Sequence, residues 1–153
     1  MSSPLAETFA INNRINIFLL NGIAEAHLSD ATLGKGRNVG EQFAHIHNVR
    51  LMWLKTASPE LFNDNAKIEK EDTLSKEKLI TSLNASSEAM INLLTQSEAT
   101  GKVKGFKPHA TAFLGYLLAH EGHHRGQALI SLKANGHLPD KKILFGIWEW
   151  GVR

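Results

Sequence analysis

The sequence predicts an all-α protein built as a four-helix bundle. Four long stretches carry apolar residues at the three- and four-residue spacing of an amphipathic helix. Short polar breaks containing glycine or proline separate these stretches, and such breaks are typical of helix ends. No segment alternates apolar and polar residues over the length of a strand between hairpin turns. Four long amphipathic helices with short connections favour a bundle.

The first predicted helix runs from about Leu5 to Leu28, and a polar break with two glycines follows it. Its apolar positions are Phe9, Ile11, Ile15, Phe18, Leu19, Ile23 and Ala26. The second predicted helix runs from about Val39 to Thr56. Asn38 precedes it and Glu41 stands three residues later, which is the arrangement of a capping box.

The third predicted helix runs from about Lys76 to Ser97, with Ser75 as its N-terminal cap. The fourth runs from about His109 to Asn135. Pro108 fits its first turn, and Gly136 is a C-terminal stop signal. An apolar and aromatic tail follows, and we expect it to pack back on the bundle.

The tail runs from Ile143 to Trp150. Trp148 and Trp150 are expected to close one end of the bundle, because large aromatic side chains are stabilised by burial. Glu149 stands between them and is expected to face solvent.

Composition limits the classes of protein to which the chain can belong. Its 153 residues suit a single domain, 1–153, with one substantial core. Hydrophobic residues make up 42% and charged residues 21%, and the net charge is +2. This charge is too small to indicate binding to nucleic acid or a membrane. No secretory signal or membrane span is visible, so we expect a cytoplasmic protein.

The chain contains no cysteine. Disulfides, thiolate metal ligands and a catalytic thiol of the protein are therefore excluded. Any sulfur chemistry needs a thiol that is not part of the chain.

The strongest functional signal lies in the fourth predicted helix, where three histidines fall within residues 120–124. His120 and His124 are four residues apart, so they share one helix face and can bind one transition metal together. This face is apolar at Phe113 and Leu117 but polar at Gln127. Because buried polar groups need partners, the change from apolar to polar residues along this face indicates a site at which a metal could be the partner. Three imidazoles suit several divalent metals, among which we favour zinc, nickel or iron.

The second predicted helix offers the third ligand, and periodicity leaves two candidates open. His45 and His47 both border its apolar stripe. The remaining histidines receive a different interpretation. His123 points about 100° away from the site face and is expected to be exposed or to form a polar contact. The others stand near helix ends, where histidines contact terminal backbone groups, and we interpret them as structural. They are His27, His109 and His137.

Three segments together resemble the DinB superfamily, which includes DinB/YfiT-like proteins proposed to be metalloenzymes. The segments are GEQFAHI at residues 40–46, HEGHHRGQ at residues 120–127 and GIWEW at residues 146–150. They occur in the family's order and span essentially the whole chain. The resemblance implies a four-helix bundle of up-down-down-up topology, often paired into homodimers.

The resemblance also implies a ligand set. The family takes one histidine from its second helix, directly before an isoleucine, and two from the later helix. Carried over, the metal ligands are His45, His120 and His124, and His47 is set aside. Gln127 continues the same helix face as His120 and His124 and becomes a candidate to contact a metal-binding histidine without binding the metal itself.

The other motif residues are given structural roles. We expect Arg125 to pair with an acidic neighbour and Gly126 to allow close packing of helices. Glu121 lies one position off the site face and is also expected to be structural.

Characterised relatives in the superfamily include thiol-dependent S-transferases and an isomerase. The resemblance therefore implies a metal-dependent enzyme that activates a low-molecular-weight thiol for transfer to a small electrophile. Two alternatives stay open: a hydrolase that uses metal-bound water, and a non-catalytic, stress-associated metal- or ligand-binding dimer. The sequence leaves open whether the chain is an enzyme at all.

Overall fold

In a computed structural model of the protein, residues 3–63 and 65–153 are described, and this part of the chain is helical. The helices, in chain order, are α1 (Pro4–Asn21), α2 (Val39–Ala57), α3 (Pro59–Phe62), α4 (Lys76–Thr100), α5 (Ala110–Ala134) and α6 (Lys141–Gly146). Four of them are long, as predicted. α4 packs against α1 and α2, and α5 packs against the same two helices. No helix among the described residues has the length and hydropathy to cross a membrane.

The first helix ends at Asn21, so its predicted extension to Leu28 was wrong. Gly22 caps it, and the Ile143 side chain stands 2.9 Å from the place that a Cβ of residue 22 would occupy. The tail therefore occupies the space into which a side chain at residue 22 would project. The residues from Glu25 to Ser29 form a separate 3₁₀ turn.

Local signals fixed most other helix ends. The capping box of α2 is present, with the Glu41 backbone N–H donating to Asn38 Oδ1 over 2.8 Å. Ser75 caps α4, and Gly101 ends it with φ of +66°. The prediction that Pro108 lies in the first turn of α5 was wrong. That helix begins at Ala110, because the His109 imidazole is its cap and accepts from the Ala112 backbone N–H over 3.1 Å.

The tail packs on α1, as expected. Gly146 lies against the Phe18 ring, and the Arg153 guanidinium stands 3.6 Å from the centre of that ring. Trp150 is half-buried, but Trp148 is 76% exposed, so the expectation that both tryptophans close the bundle was wrong for Trp148. Glu149 is exposed, as expected.

The core consists of two apolar clusters, one at each end of the long helices. A polar layer occupies the intervening positions of all four long helices. Its members are Asn12, Asn13, Asn16, Arg50, Ser86, Glu121 and Arg125. The sequence-predicted metal ligands lie on α2 and α5 beside this layer, so the layer determines how the two helices present them.

An ion pair stands at the centre of the polar layer. Arg50 Nε donates to Glu121 Oε1 over 2.7 Å, and Arg50 Nη2 donates to Glu121 Oε2 over 2.8 Å. Asn12 and Asn16 donate to the same carboxylate over 2.6 and 2.8 Å. Burial acts to raise the pKa of the Glu121 carboxyl, but the charge and hydrogen bonds of Arg50 outweigh it and hold that pKa below its usual value. Glu121 is therefore a buried anion whose hydrogen bonds are well satisfied.

We predict that Glu121→Gln lowers the free energy of unfolding by about 3–5 kcal/mol, because it leaves the Arg50 guanidinium buried without a counter-charge. Urea denaturation followed by circular dichroism measures the effect. Glu88→Gln is the matched control, since this carboxylate is exposed and its loss should change stability by less than about 0.5 kcal/mol. A Glu121→Gln variant as stable as the control would contradict the prediction.

Candidate metal centre

The structure brings His45, His120 and His124 together. His45 comes from α2, and the other two lie one turn apart on α5. One ring nitrogen of each lies within 4.8 Å of one from each of the other two. His120 Nε2 and His45 Nε2 face each other at 3.4 Å. The three side chains predicted from sequence thus form one compact group across two helices.

The spacing of these nitrogens fits a single metal ion. Two nitrogens bound to a tetrahedral ion at about 2.0–2.1 Å lie about 3.4 Å apart. The separation between His45 and His120 already has this length. The rings of His45 and His124, and of His120 and His124, have centroids 4.5 Å apart. Small rotations of these rings would bring three nitrogens around one ion.

The electrostatics of the group keep its imidazoles uncharged. Burial lowers the pKa of His45 to about 4, with smaller contributions from the positive charge of Arg37 and from His120. Burial, followed by the neighbouring histidines, lowers the pKa of His124 to about 4. The pKa of His120 is lowered by burial as well, although Glu121 opposes this. Neutral imidazole is the form that binds a metal, so at neutral pH no proton has to be displaced.

Gln42, rather than Gln127, supports a predicted ligand from behind. The Gln42 Oε1 atom lies 2.7 Å from His124 Nδ1, which makes that nitrogen the donor and leaves Nε2 free to bind a metal. The side chain of Gln42 is buried, being only 7% exposed. Gln127 is half-buried and makes no such contact with the three histidines within the described chain. The Gln42 amide lies one turn before His45 on α2, on the same face.

His47, the second candidate on α2, lies outside the group. It is buried, and its Nε2 atom is 2.9 Å from the backbone oxygen of Ala66. It therefore holds the chain that follows α3 against α2. His123 is exposed, as expected.

The histidines near helix ends have structural contacts, as interpreted from the sequence. The His27 and His137 rings stack at 3.6 Å, and His137 Nδ1 lies 2.6 Å from a carboxylate oxygen of Asp30. His109 caps α5.

Two motif residues act differently from the sequence interpretation. Arg125 Nη1 donates to the side-chain oxygens of Asn12 and Asn16, at 2.9 and 2.6 Å, so its hydrogen bonds go to amides on α1. Glu121 acts on the Arg125 guanidinium only through its negative charge, which opposes the lowering of the pKa of that group by burial. The packing role expected for Gly126 was wrong, because a Cβ at that position would meet nothing within 4 Å.

A cavity of about 1000 Å³ reaches the histidine group at His45. It lies between α2 and the segments that precede and follow that helix. Arg37, Glu41 and Met52 line it together with His45. Arg37 carries the positive charge that acts on all three histidines. The sequence pattern gives no indication of Arg37, because this residue precedes α2 in a loop without periodicity.

A model of the DinB family matches residues 1–142. The chain belongs to the DinB family. The match includes α1 to α5 and all three clustered histidines, and it ends within α6. Searches of curated proteins and of solved structures gave no significant match. Membership in the DinB family thus rests on the sequence of residues 1–142, and the histidine group rests on the geometry.

We predict that Gln42→Leu weakens zinc binding about 10- to 100-fold, because it removes the acceptor that orients the His124 ring. Competition with a chromophoric chelator measures the dissociation constant. Gln127→Leu is the matched control and should bind zinc as the wild type does. Equal weakening in both variants would show that the effect does not come from the hydrogen bond to His124.

We predict that the metal-free protein loses stability as the pH falls below 6.5. The unfolded histidines take up protons near their ordinary pKa of 6.5, whereas folded His45 and His124 do so only near 4. Acid therefore favours the unfolded chain between these values. Melting temperatures at pH 7.5 and 5.5, with chelator present, should fall more steeply for the wild type than for a His45→Gln, His124→Gln double variant. Parallel slopes would contradict the lowered pKa values.

Proposed function

We propose that this DinB-family protein binds a divalent transition-metal ion through His45, His120 and His124 and transfers a thiol to a small electrophile. The observation that carries the proposal is the convergence of three uncharged imidazoles beside a cavity. Zinc, nickel or iron are the metals that we favour for such a ligand set. The cavity provides room for a small-molecule substrate next to His45.

The residues of the chain suit this chemistry. A divalent ion held by neutral ligands keeps its full charge and would favour the deprotonated form of a thiol. The thiolate sulfur would form a bond to an electrophilic carbon while the bond from that carbon to its leaving group breaks; the leaving group would depart with the electron pair, and the thiol proton would pass to solvent. His45 borders the cavity, so a thiol entering there reaches the histidine group directly. Because the chain has no cysteine, the thiol arrives as a cosubstrate.

A hydrolase that uses metal-bound water is the alternative, and one observation favours it. Glu41 lines the same cavity as His45 and stands one turn before it on α2, where a general base could act. However, the Glu41 carboxylate accepts from the Asn38 backbone N–H in the capping box. We therefore place thiol transfer first.

We also propose the up-down-down-up order of the four long helices, and contacts along the chain support it. The Leu5 backbone N–H donates to Glu98, and the Lys76 ammonium group donates to the Asn21 backbone oxygen, so α1 and α4 run in opposite directions. Gln42 contacts His124, and Trp53 contacts Phe113, so α2 and α5 also run in opposite directions.

Pairing into homodimers and a cytoplasmic location stay predictions. Light scattering tests the first, and cell fractionation tests the second.

The experiment that tests the proposed function measures metal content and thiol transfer in the same variants. Protein purified without chelators should contain about one metal ion per chain, and excess zinc should raise its melting temperature. His45→Ala and His124→Ala should lose the metal and the conjugation of a thiol to a model electrophile, whereas the exposed control His123→Ala should keep both. Transfer activity that persists in metal-free wild type would contradict the mechanism. Metal binding with ester hydrolysis but no transfer would favour the hydrolase.

A further inference from the structure

The cavity beside His45 has an uneven distribution of available charge. Its acidic residues already have partners within the protein. Glu25 accepts from the Lys76 backbone N–H, and Asp72 pairs with Lys78 at 3.1 Å. Glu41 belongs to the capping box of α2, and Glu69 pairs with Lys67 at 3.3 Å. Each of the four carboxylates thus has a hydrogen-bond or ion-pair partner within the described part of the chain.

The basic residues of the lining are Lys67, which pairs with Glu69, and Lys70 and Arg37, which are exposed and make no ion pair or side-chain hydrogen bond with the described part of the chain. Arg37 differs from Lys70 because its charge acts on the clustered histidines. Its guanidinium carries donors in a planar fork that matches a carboxylate or a phosphate. A permanent cation with available donors therefore lines the same cavity as His45.

Part of the lining of the same cavity is apolar. Val49 and Met52 follow His45 along one face of α2 and both line the cavity, and Met52 is 51% exposed. A methionine so exposed beside a polar site offers an adaptable surface for an apolar ligand chain. The cavity thus combines a cation, an apolar wall and a histidine group.

We propose that Arg37 binds an anionic group of the substrate and thereby selects small acids that carry a short apolar chain. The inference rests on the proposed function, which it deepens by naming the substrate class. The anion would lie at Arg37, the reacting carbon at His45, and the apolar chain beyond it along Val49 and Met52, in the order in which these residues follow one another in the sequence. Arg37 is in this sense a specificity-determining residue, not a ligand of the metal.

Three ligands of matched size separate the contributions of anion and thiol. Propionate has only the anion, 2-mercaptoethanol has only the thiol, and 3-mercaptopropionate has both. Each is titrated into zinc-loaded protein while backbone amide shifts are recorded by ¹⁵N NMR. Wild type is compared with Arg37→Gln, Arg37→Lys and the matched control Lys35→Gln, which removes an exposed charge of the same loop outside the cavity lining.

We expect Arg37→Gln to raise the dissociation constant of propionate about threefold to tenfold, as befits a partly exposed charge pair. Arg37→Lys should recover part of the loss, and Lys35→Gln should bind propionate as the wild type does. Binding of 2-mercaptoethanol should be unchanged in all variants. Equal propionate binding in wild type and Arg37→Gln, or no propionate binding in wild type, would overturn the inference.

The thiol titrations assign the anion and test the proposed function separately. If 3-mercaptopropionate binds more tightly than 2-mercaptoethanol only when Arg37 is present, the anion belongs to the thiol. If only propionate depends on Arg37, the anion belongs to the electrophile, and the role of Arg37 is supported in both cases. If neither thiol binds the zinc-loaded protein, the proposed thiol transfer fails, while the propionate result still decides the role of Arg37.

Discussion

The ion pair between Arg50 and Glu121 ties α2 to α5, and the geometry of the candidate metal centre depends on it. Both side chains are at most 1% exposed, so each charge needs the other and its full set of hydrogen bonds. The two parallel N–H···O bonds allow only one register between the helices, since a shift by one turn would break both. Glu121 is the neighbour of His120 in the chain. The register that satisfies the ion pair therefore also places His45 opposite His120.

The same ion pair gives His120 a different charge environment from His45 and His124. Glu121 directs its carboxylate at Arg50 and two asparagines and still acts to raise the pKa of His120, whereas the charges that act on His45 and His124 are those of Arg37 and the other histidines. Arg37 remains as a cation whose field reaches the histidines. Neutral imidazoles together with a nearby cation favour an anion at the centre, and a thiolate would meet this condition. Glu121 and Arg37 act on His120 in opposite directions, so the positive charge environment is that of His45 and His124.

The sequence predicted the parts of the fold that depend on local signals. Helical spacing identified the four long helices, and Asn38 with Glu41 located the start of α2, because these signals act over one or two turns. The end of α1 was missed because it depends on the contact of Gly22 with Ile143, which is far away in the chain. The grouping of the three histidines was predicted from the resemblance, whereas periodicity alone left His45 and His47 open. Gln42 and Arg37 were missed because their roles arise from contacts between helices and loops.

The three histidines differ in how firmly they are held, and this difference indicates where a ligand enters. The ring of His124 is oriented by Gln42, and the ring of His120 stacks on Tyr116, with centroids 6.1 Å apart. Tyr116 in turn accepts a hydrogen bond from Trp53 over 3.3 Å. His45 has no such support within the described chain; its polar contact is with His120, and its other side borders the cavity. A molecule that enters through the cavity therefore meets the least restrained of the three histidines, and α5 carries the other two.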